Sequence, residues 1–217
     1  MNICRITNPI TTENSYLLEE KGSVLIIDPG DSGKILDFLR RRNLLPEGVI
    51  LTHEHFDHIE GLEEIRRICH LPVTASAACG SRIADPRLNL SVVYDLCVFQ
   101  MSGYVSPDRH HPFACAPADN VFSGSCDLGF HGHFLHLTEC PGHSPGSILI
   151  RVDDSCYFTG DYMIDHAEPN LTLSGSSRPD YIRRTLPFLR KIPAGSMLYP
   201  GHGEPYRLSE SAESLHS

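Results

Sequence analysis

The chain has no apolar run long enough to span a membrane, no C-x-x-C pair and no excess of positive charge. Its opening, Met1-Asn2-Ile3-Cys4-Arg5, starts no apolar signal-peptide core, and the longest aliphatic run nearby is only Val24 to Ile27. Neither a signal peptide nor a transmembrane helix is therefore expected. Without export, the cysteines at 4, 69, 79, 97, 115, 126, 140 and 156 are expected to be reduced thiols of a cytoplasmic protein. Lys and Arg number 18 against 27 Asp and Glu, a net charge of −9 that argues against a nucleic-acid partner. What remains is ordinary for a folded domain: 217 residues, 41% hydrophobic and 21% charged. A single α/β domain is expected, burying on the order of 70% of its unfolded surface. The unusual component is histidine, 13 in all, with His53, His55 and His58 packed into six residues.

Turn residues divide the first half into alternating elements. Arg5 to Thr7, Tyr16 to Leu18 and Val24 to Ile27 read as antiparallel strands, and Asp28-Pro29-Gly30 stops the third. Ile35, Leu36, Phe38 and Leu39 mark a helical face ending in Arg40-Arg41-Arg42, cations suited to a helix C-terminus. Val49 to Leu51 reads as a buried strand, Ile59 to Cys69 as a helix, Val73 to Ala75 as a strand and Ala77 to Ile83 as a helix. From about 84 to 120 the pattern breaks down, and this stretch is expected to be a variable insertion or lid rather than a second domain. Strands resume at Phe134 to Leu137, Ile148 to Val152 and Cys156 to Thr159. Tyr181 to Lys191 is predicted helical despite Pro187, and Met197 to Tyr199 is the last expected strand.

Four of the loops after these strands present ligand-type side chains. Thr52-His53-Glu54-His55-Phe56-Asp57-His58 places three imidazoles and a carboxylate on a strand-to-helix loop. Cys140-Pro141-Gly142-His143 delivers a histidine at a Gly/Pro corner, Phe158-Thr159-Gly160-Asp161 ends a strand in an aspartate, and Tyr199-Pro200-Gly201-His202-Gly203 ends another in a histidine. Any one of these reads equally well as a polar loop residue. Together they point to a cation bound by neutral imidazoles and carboxylates, a donor set suited to zinc, manganese or iron.

These motifs, in this order, resemble the metallo-β-lactamase superfamily, and the resemblance runs from about residue 5 to 208. Asn14-Ser15-Tyr16-Leu17 and Ile27-Asp28-Pro29-Gly30 are similar to its first strands and first acid. Asp85-Pro86-Arg87-Leu88-Asn89-Leu90-Ser91 points to the glyoxalase II-like (hydroxyacylglutathione hydrolase-like) branch. The resemblance implies a four-layer αββα sandwich forming one domain over 1–217, with metals at one edge between the sheets. It implies two divalent ions, zinc in first place with iron or manganese also suited. The first would be held by His53, His55 and His143, the second by Asp57, His58 and His202, with Asp161 bridging them. Asp28 is implied to orient a ligand rather than bind metal.

The implied activity is metal-dependent hydrolysis of a thioester, ester or lactone by a hydroxide available at neutral pH; Asp57 is the candidate for orienting it and relaying its proton, a role His55 or His202 could share. The expected partner is a small-molecule acyl substrate, with no nucleic acid and no membrane; the oligomeric state is open. Only 15 residues follow His202, so the helical domain that grips glutathione in that branch is expected to be missing. Tyr162 to His166 also departs from the branch's usual continuation. One alternative is a mononuclear iron persulfide dioxygenase using His53, His143 and Asp161. Another is a non-catalytic metal-binding or regulatory module, against which the intact set of ligands argues. Elsewhere, His131 and His133 are expected on a hairpin turn, His110 and His111 in a solvated loop, and His166 and Arg178 at the surface. Tyr104 and Phe113 are candidate lid residues on the same footing.

Overall fold

The computed structural model describes residues 1–209. Successive side chains of a strand point to opposite faces, so a strand that is apolar at every position must be covered on both sides. In β2 (Asn14–Glu20), Leu17 packs into one buried cluster while its neighbours Tyr16 and Leu18 join another. The same division separates Ile26 from Ile27 in β3 (Ser23–Ile27) and Val49 from Ile50 in β4 (Leu45–Ile50). With β1 (Asn2–Thr7), β5 (Val73–Ser76) and β6 (Asn120–Phe122), these strands form a six-stranded sheet in sequence order. Its first three strands are antiparallel and the rest parallel.

The second sheet contains β7 (Ser125–Phe130), β8 (His133–Glu139), β9 (Ile148–Val152), β10 (Cys156–Gly160), β11 (Met197–Pro200) and β12 (Tyr206–Arg207), in the order β12-β11-β10-β9-β8-β7. Only its β10–β11 pair is parallel. Ile148, Ile150 and Phe158 meet Tyr16, Leu18, Ile27 and Ile50 between the sheets. Leu149 and Tyr157 face the other way, onto Leu186, Leu189 and Ile192. The outer side of the first sheet is covered by α1 (Ser32–Arg42), α2 (Phe56–Ile59), α3 (Leu62–Cys69) and α4 (Ala77–Arg82), with Ile35, Leu39, Leu62 and Ile65 facing inward. These are the four layers of an αββα sandwich in one domain. Among the described residues no helix is long and apolar enough to cross a membrane.

The elements begin and end for local reasons. The Asp31 side chain caps α1 by accepting from the Lys34 amide at 3.0 Å, and Asn43, at φ 51°, ends it in the left-handed region. The single helix expected over Ile59 to Cys69 is instead broken into α2 and α3. Gly61 donates to the Pro29 carbonyl at 2.8 Å, and a Cβ there would lie 2.6 Å from the Ser32 nitrogen, so the chain is drawn onto the Asp28-Pro29 loop. The expected helix across Pro187 runs from α6 (Arg178–Asp180) through a π turn, Tyr181–Thr185, to α7 (Leu186–Leu189). Proline has no N–H to offer the fourth residue back, and the wider turn absorbs the mismatch.

The segment read as patternless holds a 3-10 turn, Ser91–Val93, and a two-turn helix, α5 (Tyr94–Ser102). Tyr94 and Val98 are buried while Leu96 and Phe99 are exposed, so the helix is apolar on both faces and carries no period. At its end, β6 joins the first sheet as an edge strand. The edge strands β7 and β12 were also not anticipated; two residues in β12 and the mostly exposed pattern of β7 carry little signal.

Candidate metal centre

The loops after β4, β8, β10 and β11 converge at one edge of the sandwich. Backbone bonds sew that edge together. The Ile148 amide donates to the Thr52 carbonyl at 2.8 Å, and the Asn14 amide donates to the Gly201 carbonyl at 2.8 Å. The Asn14 side chain donates to the carbonyls of Pro200 and Gly203, and the Tyr16 hydroxyl donates to the Pro200 carbonyl at 2.7 Å. The corner carrying His202 is thus pinned by the Asn14-Ser15-Tyr16 motif of the opposite sheet. Gly201 is required there by close approach: a Cβ would lie 2.5 Å from Asp161 Oδ1 and 2.7 Å from His58 Cε1.

The side chains form two adjacent groups. Donor atoms of His53, His55 and His143 lie within 4.8 Å of one another, as do those of Asp57, His58 and His202. Asp161 reaches both, with Oδ2 3.2 Å from His143 Nε2 and Oδ1 3.2 Å from His58 Nε2. His55 Nδ1 faces His143 Nε2 at 3.0 Å, and His202 Nε2 lies 3.2 Å from Asp57 Oδ2. All seven residues expected from the sequence meet here.

Neighbouring acceptors fix the ring protons. Asn170 offers a carbonyl to His143 Nδ1 at 2.9 Å; a carbonyl only accepts, so Nδ1 carries the proton and Nε2 keeps its lone pair. Asp28 does the same for His58 Nδ1 at 3.0 Å. Asp28 also accepts from the Thr52 amide at 2.7 Å and from the Thr52 hydroxyl, which lies 3.1 Å from His53 Nδ1. Donor atoms of Asp28, His53 and His58 also fall within 4.8 Å of one another, but three donors already occupy the Asp28 carboxylate. It holds ligands in place, as its expected orienting role requires.

Burial, with the charge of neighbouring imidazoles, holds His53 well below the usual histidine range and takes His55 down to about 3. Both are neutral and have lone pairs to give. Burial opposes charge on His58 as well, but Asp57 and Asp161 outweigh it and hold its pKa well above the ordinary value, so its Nε2 takes up a proton unless a cation is there to displace it. Burial raises Asp161 in turn, and His202, His58 and His143 overcome this to keep it an anion.

Three buried atoms in this cluster make no aligned hydrogen bond: His53 Nε2, and His58 Nε2 and Asp161 Oδ1, which face each other at 3.2 Å. An unsatisfied buried polar atom costs about 1–3 kcal/mol, so three in one place need a common explanation. Imidazole nitrogens and a carboxylate oxygen converging in this way fit divalent cations, which supply the missing partner to each.

The family model described as the metallo-beta-lactamase superfamily matches residues 9–215. The chain belongs to the metallo-beta-lactamase superfamily. It is 29% identical over 192 residues to a probable metallo-hydrolase, YqgX, of Bacillus subtilis, covering 88% of this chain and 84% of that one. To a hydroxyacylglutathione hydrolase of Citrobacter koseri it is 28% identical, over 54% of this chain and 49% of the relative. Among solved structures it superposes on BLEG-1, a B3 metallo-beta-lactamase, with a TM-score of 0.77 and 26% identity over 95% of this chain and 94% of that one. It superposes on TTHA1623 in a di-iron-bound form with a TM-score of 0.72 and 26% identity over 94% of both chains. In a metallo-beta-lactamase fold, this His/Asp cluster is a site for divalent metal ions.

Several supporting residues gave no warning in the sequence. Glu54, fully buried inside the first motif, pairs with Arg82 of α4 at 2.6 Å and accepts from Ser144 beside His143 at 2.9 Å. It ties the first loop to the second. The Tyr162 hydroxyl accepts from the His143 amide at 2.7 Å and donates to the Cys140 carbonyl. Glu13 is buried beside the centre, and burial pushes its carboxyl well above the usual range.

The other polar residues noted in the sequence lie outside the His/Asp cluster. His131 and His133 pair with Glu47 and Asp153 at the β7–β8 turn, and His166 is almost fully exposed. His110 and His111 lie in a loop, His111 exposed and His110 half-exposed, with the His110 ring stacked on Tyr94 at a centroid distance of 3.6 Å and paired with Glu60. Tyr104 lines a small separate cavity, and neither Phe113 nor Arg178 lines the cavity beside the metals.

Proposed function

We propose that this protein is a binuclear metal-dependent hydrolase, loaded with zinc, that cleaves a small-molecule thioester, ester or lactone. The observation that carries the reading is Asp161, standing between two assembled groups and 3.2 Å from a ring nitrogen in each. On this reading His53, His55 and His143 hold one ion, Asp57, His58 and His202 hold the other, and Asp161 is shared. When bound, such ions lower the pKa of water from ~16 towards ~7 and polarise a carbonyl oxygen. The chain's own residues do the rest. Asp57, with His202 3.2 Å from its Oδ2, accepts a hydrogen bond from the attacking water and takes its proton on the carboxylate. His143, Asp161 and His202 line a cavity of about 340 Å³ that admits the substrate to this face of the centre.

The di-iron-bound form of TTHA1623 makes iron the metal competing with zinc, and the competing activity is the mononuclear iron persulfide dioxygenase. Elemental analysis of the purified protein, run with an acyl-substrate panel and an oxygen electrode, separates the readings. Two ions per chain, ester or thioester turnover and no oxygen uptake support the proposal. One iron per chain, with oxygen consumed on a persulfide, overturns it in favour of the dioxygenase. No turnover with both ions bound overturns it in favour of a non-catalytic module. The eight cysteines are all unpaired, which supports a reducing compartment and hence the cytoplasm.

A further inference from the structure

Beside the His/Asp donors, the cavity has an apolar wall. Phe56, Leu90, Cys97, Met101 and Leu173 form it, with Gln100, and among the described residues no lysine or arginine lines it. Positions 97, 100 and 101 lie one turn apart on α5 and so share a face, while Tyr94 and Val98 root the helix in a buried cluster with Phe56 and Leu90. Phe56 itself stands between His55 and Asp57, with its ring centroid 4.7 Å from that of Tyr94, and the Tyr94 hydroxyl donates to Glu60 at 3.1 Å. The apolar wall is therefore fastened to the metal-bearing loop. At about 340 Å³ the cavity falls at the small end of the ~300–1,000 Å³ usual for small-molecule sites.

We propose that this wall receives a straight, uncharged acyl chain of short to medium length, so that the substrates are neutral aliphatic acyl esters or thioesters rather than glutathione conjugates. For the reaction this rests on the hydrolase reading above; for the chain it rests on the wall alone. Glutathione brings two carboxylates, and the wall has no cationic side chain to pair with them. A methylene needs only apolar contact, which the wall provides within the same cavity that His55, Asp57, His143, Asp161 and His202 line.

The test has a binding arm and a turnover arm. In the first, the metal-loaded protein is titrated calorimetrically with acetamide, butanamide, hexanamide and octanamide. Affinity is expected to tighten about fourfold per methylene, equivalent to ~0.8 kcal/mol each, until the wall is filled. Met101→Glu, at a partly exposed position that tolerates charge, is expected to flatten the series. A flat series in the parent protein, or an unchanged slope in the variant, overturns the inference. In the second arm, N-acetylcysteamine thioesters of the same acyl groups are compared with their glutathione thioesters. Higher kcat/KM for the neutral thioester of each pair supports the inference, and preference for the glutathione thioester overturns it while leaving the hydrolase reading intact. Length-dependent binding without hydrolysis of any thioester, or of the matching esters and lactones, leaves the wall's assignment standing and removes the hydrolase reading.

Discussion

Replacing Asp28 with asparagine is expected to weaken the ion held by His58 far more than the one held by His53. The wild-type carboxylate accepts three hydrogen bonds, from the Thr52 amide, the Thr52 hydroxyl and His58 Nδ1. Asparagine has one oxygen to offer. The Thr52 amide cannot turn, so the oxygen stays with it and the side-chain NH₂ faces His58 Nδ1. Two donors cannot share that contact, and His58 must move its proton to Nε2, the nitrogen that points at the centre. Asp28 sits at φ 51°, a left-handed conformation that asparagine adopts readily, so the substitution adds no backbone strain. Losing a partner of this kind costs about 10–100-fold in metal affinity, or about 1.4–2.8 kcal/mol. The first ion is touched only through the Thr52 hydroxyl, which can rotate to another acceptor, and it should lose much less. Chelator competition read by elemental analysis follows the two ions separately. Equal weakening of both, or of neither, in a folded Asp28→Asn protein would refute the reasoning.

Further outcomes follow from other contacts. Asp57→Asn, assayed at metal concentrations that keep both ions bound, is expected to cut kcat at least ~100-fold by removing the proton acceptor; unchanged turnover at full metal content would show that another group does this work. Gly201→Ala puts a Cβ 2.5 Å from Asp161 Oδ1, so metal content should fall below two per chain even where circular dichroism reports an intact fold. Arg82→Met leaves the buried Glu54 carboxylate without its cation, and urea unfolding of the metal-free protein should show a loss of about 3 kcal/mol, with less for the double variant that also carries Glu54→Gln. Asp119 accepts from the Val73 amide and from Arg66, bonds that hold its carboxyl below the usual range. Its contribution to stability is present above about pH 4 and lost as the pH falls through the lower folded value, so Asp119→Asn should flatten the acid limb of a stability–pH curve.

The centre was legible because its residues are local events: each of the four motifs is a short run at a strand end, marked by glycine or proline or by dense histidine. Their division into two groups came from the family resemblance, and the structure brings the same residues together. The supports were not legible because they are distant in sequence. Glu54 meets Arg82 across 28 positions and Ser144 across 90, and no local pattern announces either pairing. Nor could Asn170 be foreseen, since it acts through a backbone carbonyl that any residue would supply. Helix α5 escaped for a different reason. Periodicity reveals a helix only where one face is wet, and α5 places Tyr94 and Val98 in a buried cluster while leaving Leu96 and Phe99 exposed.

That same irregularity separates chemistry from selectivity in the molecule. The metal-facing side chains stand on strand ends locked into two sheets and pinned across them by Asn14 and Tyr16, where a small displacement would disturb several contacts at once. The apolar wall is built mainly from the 84–120 segment, which reaches the centre chiefly through Phe56 and the Tyr94–Glu60 bond. Residues in that wall can therefore change without moving a metal-facing atom, provided the Phe56–Tyr94 contact survives. On the proposed reading, substitutions at Cys97, Gln100 and Met101 should redistribute kcat/KM among acyl chains while metal content stays fixed, whereas Tyr94→Ala should disturb both. If changes at Met101 altered metal content as strongly as those at Tyr94, the wall and the centre would be one cooperative unit, and the separation would not hold.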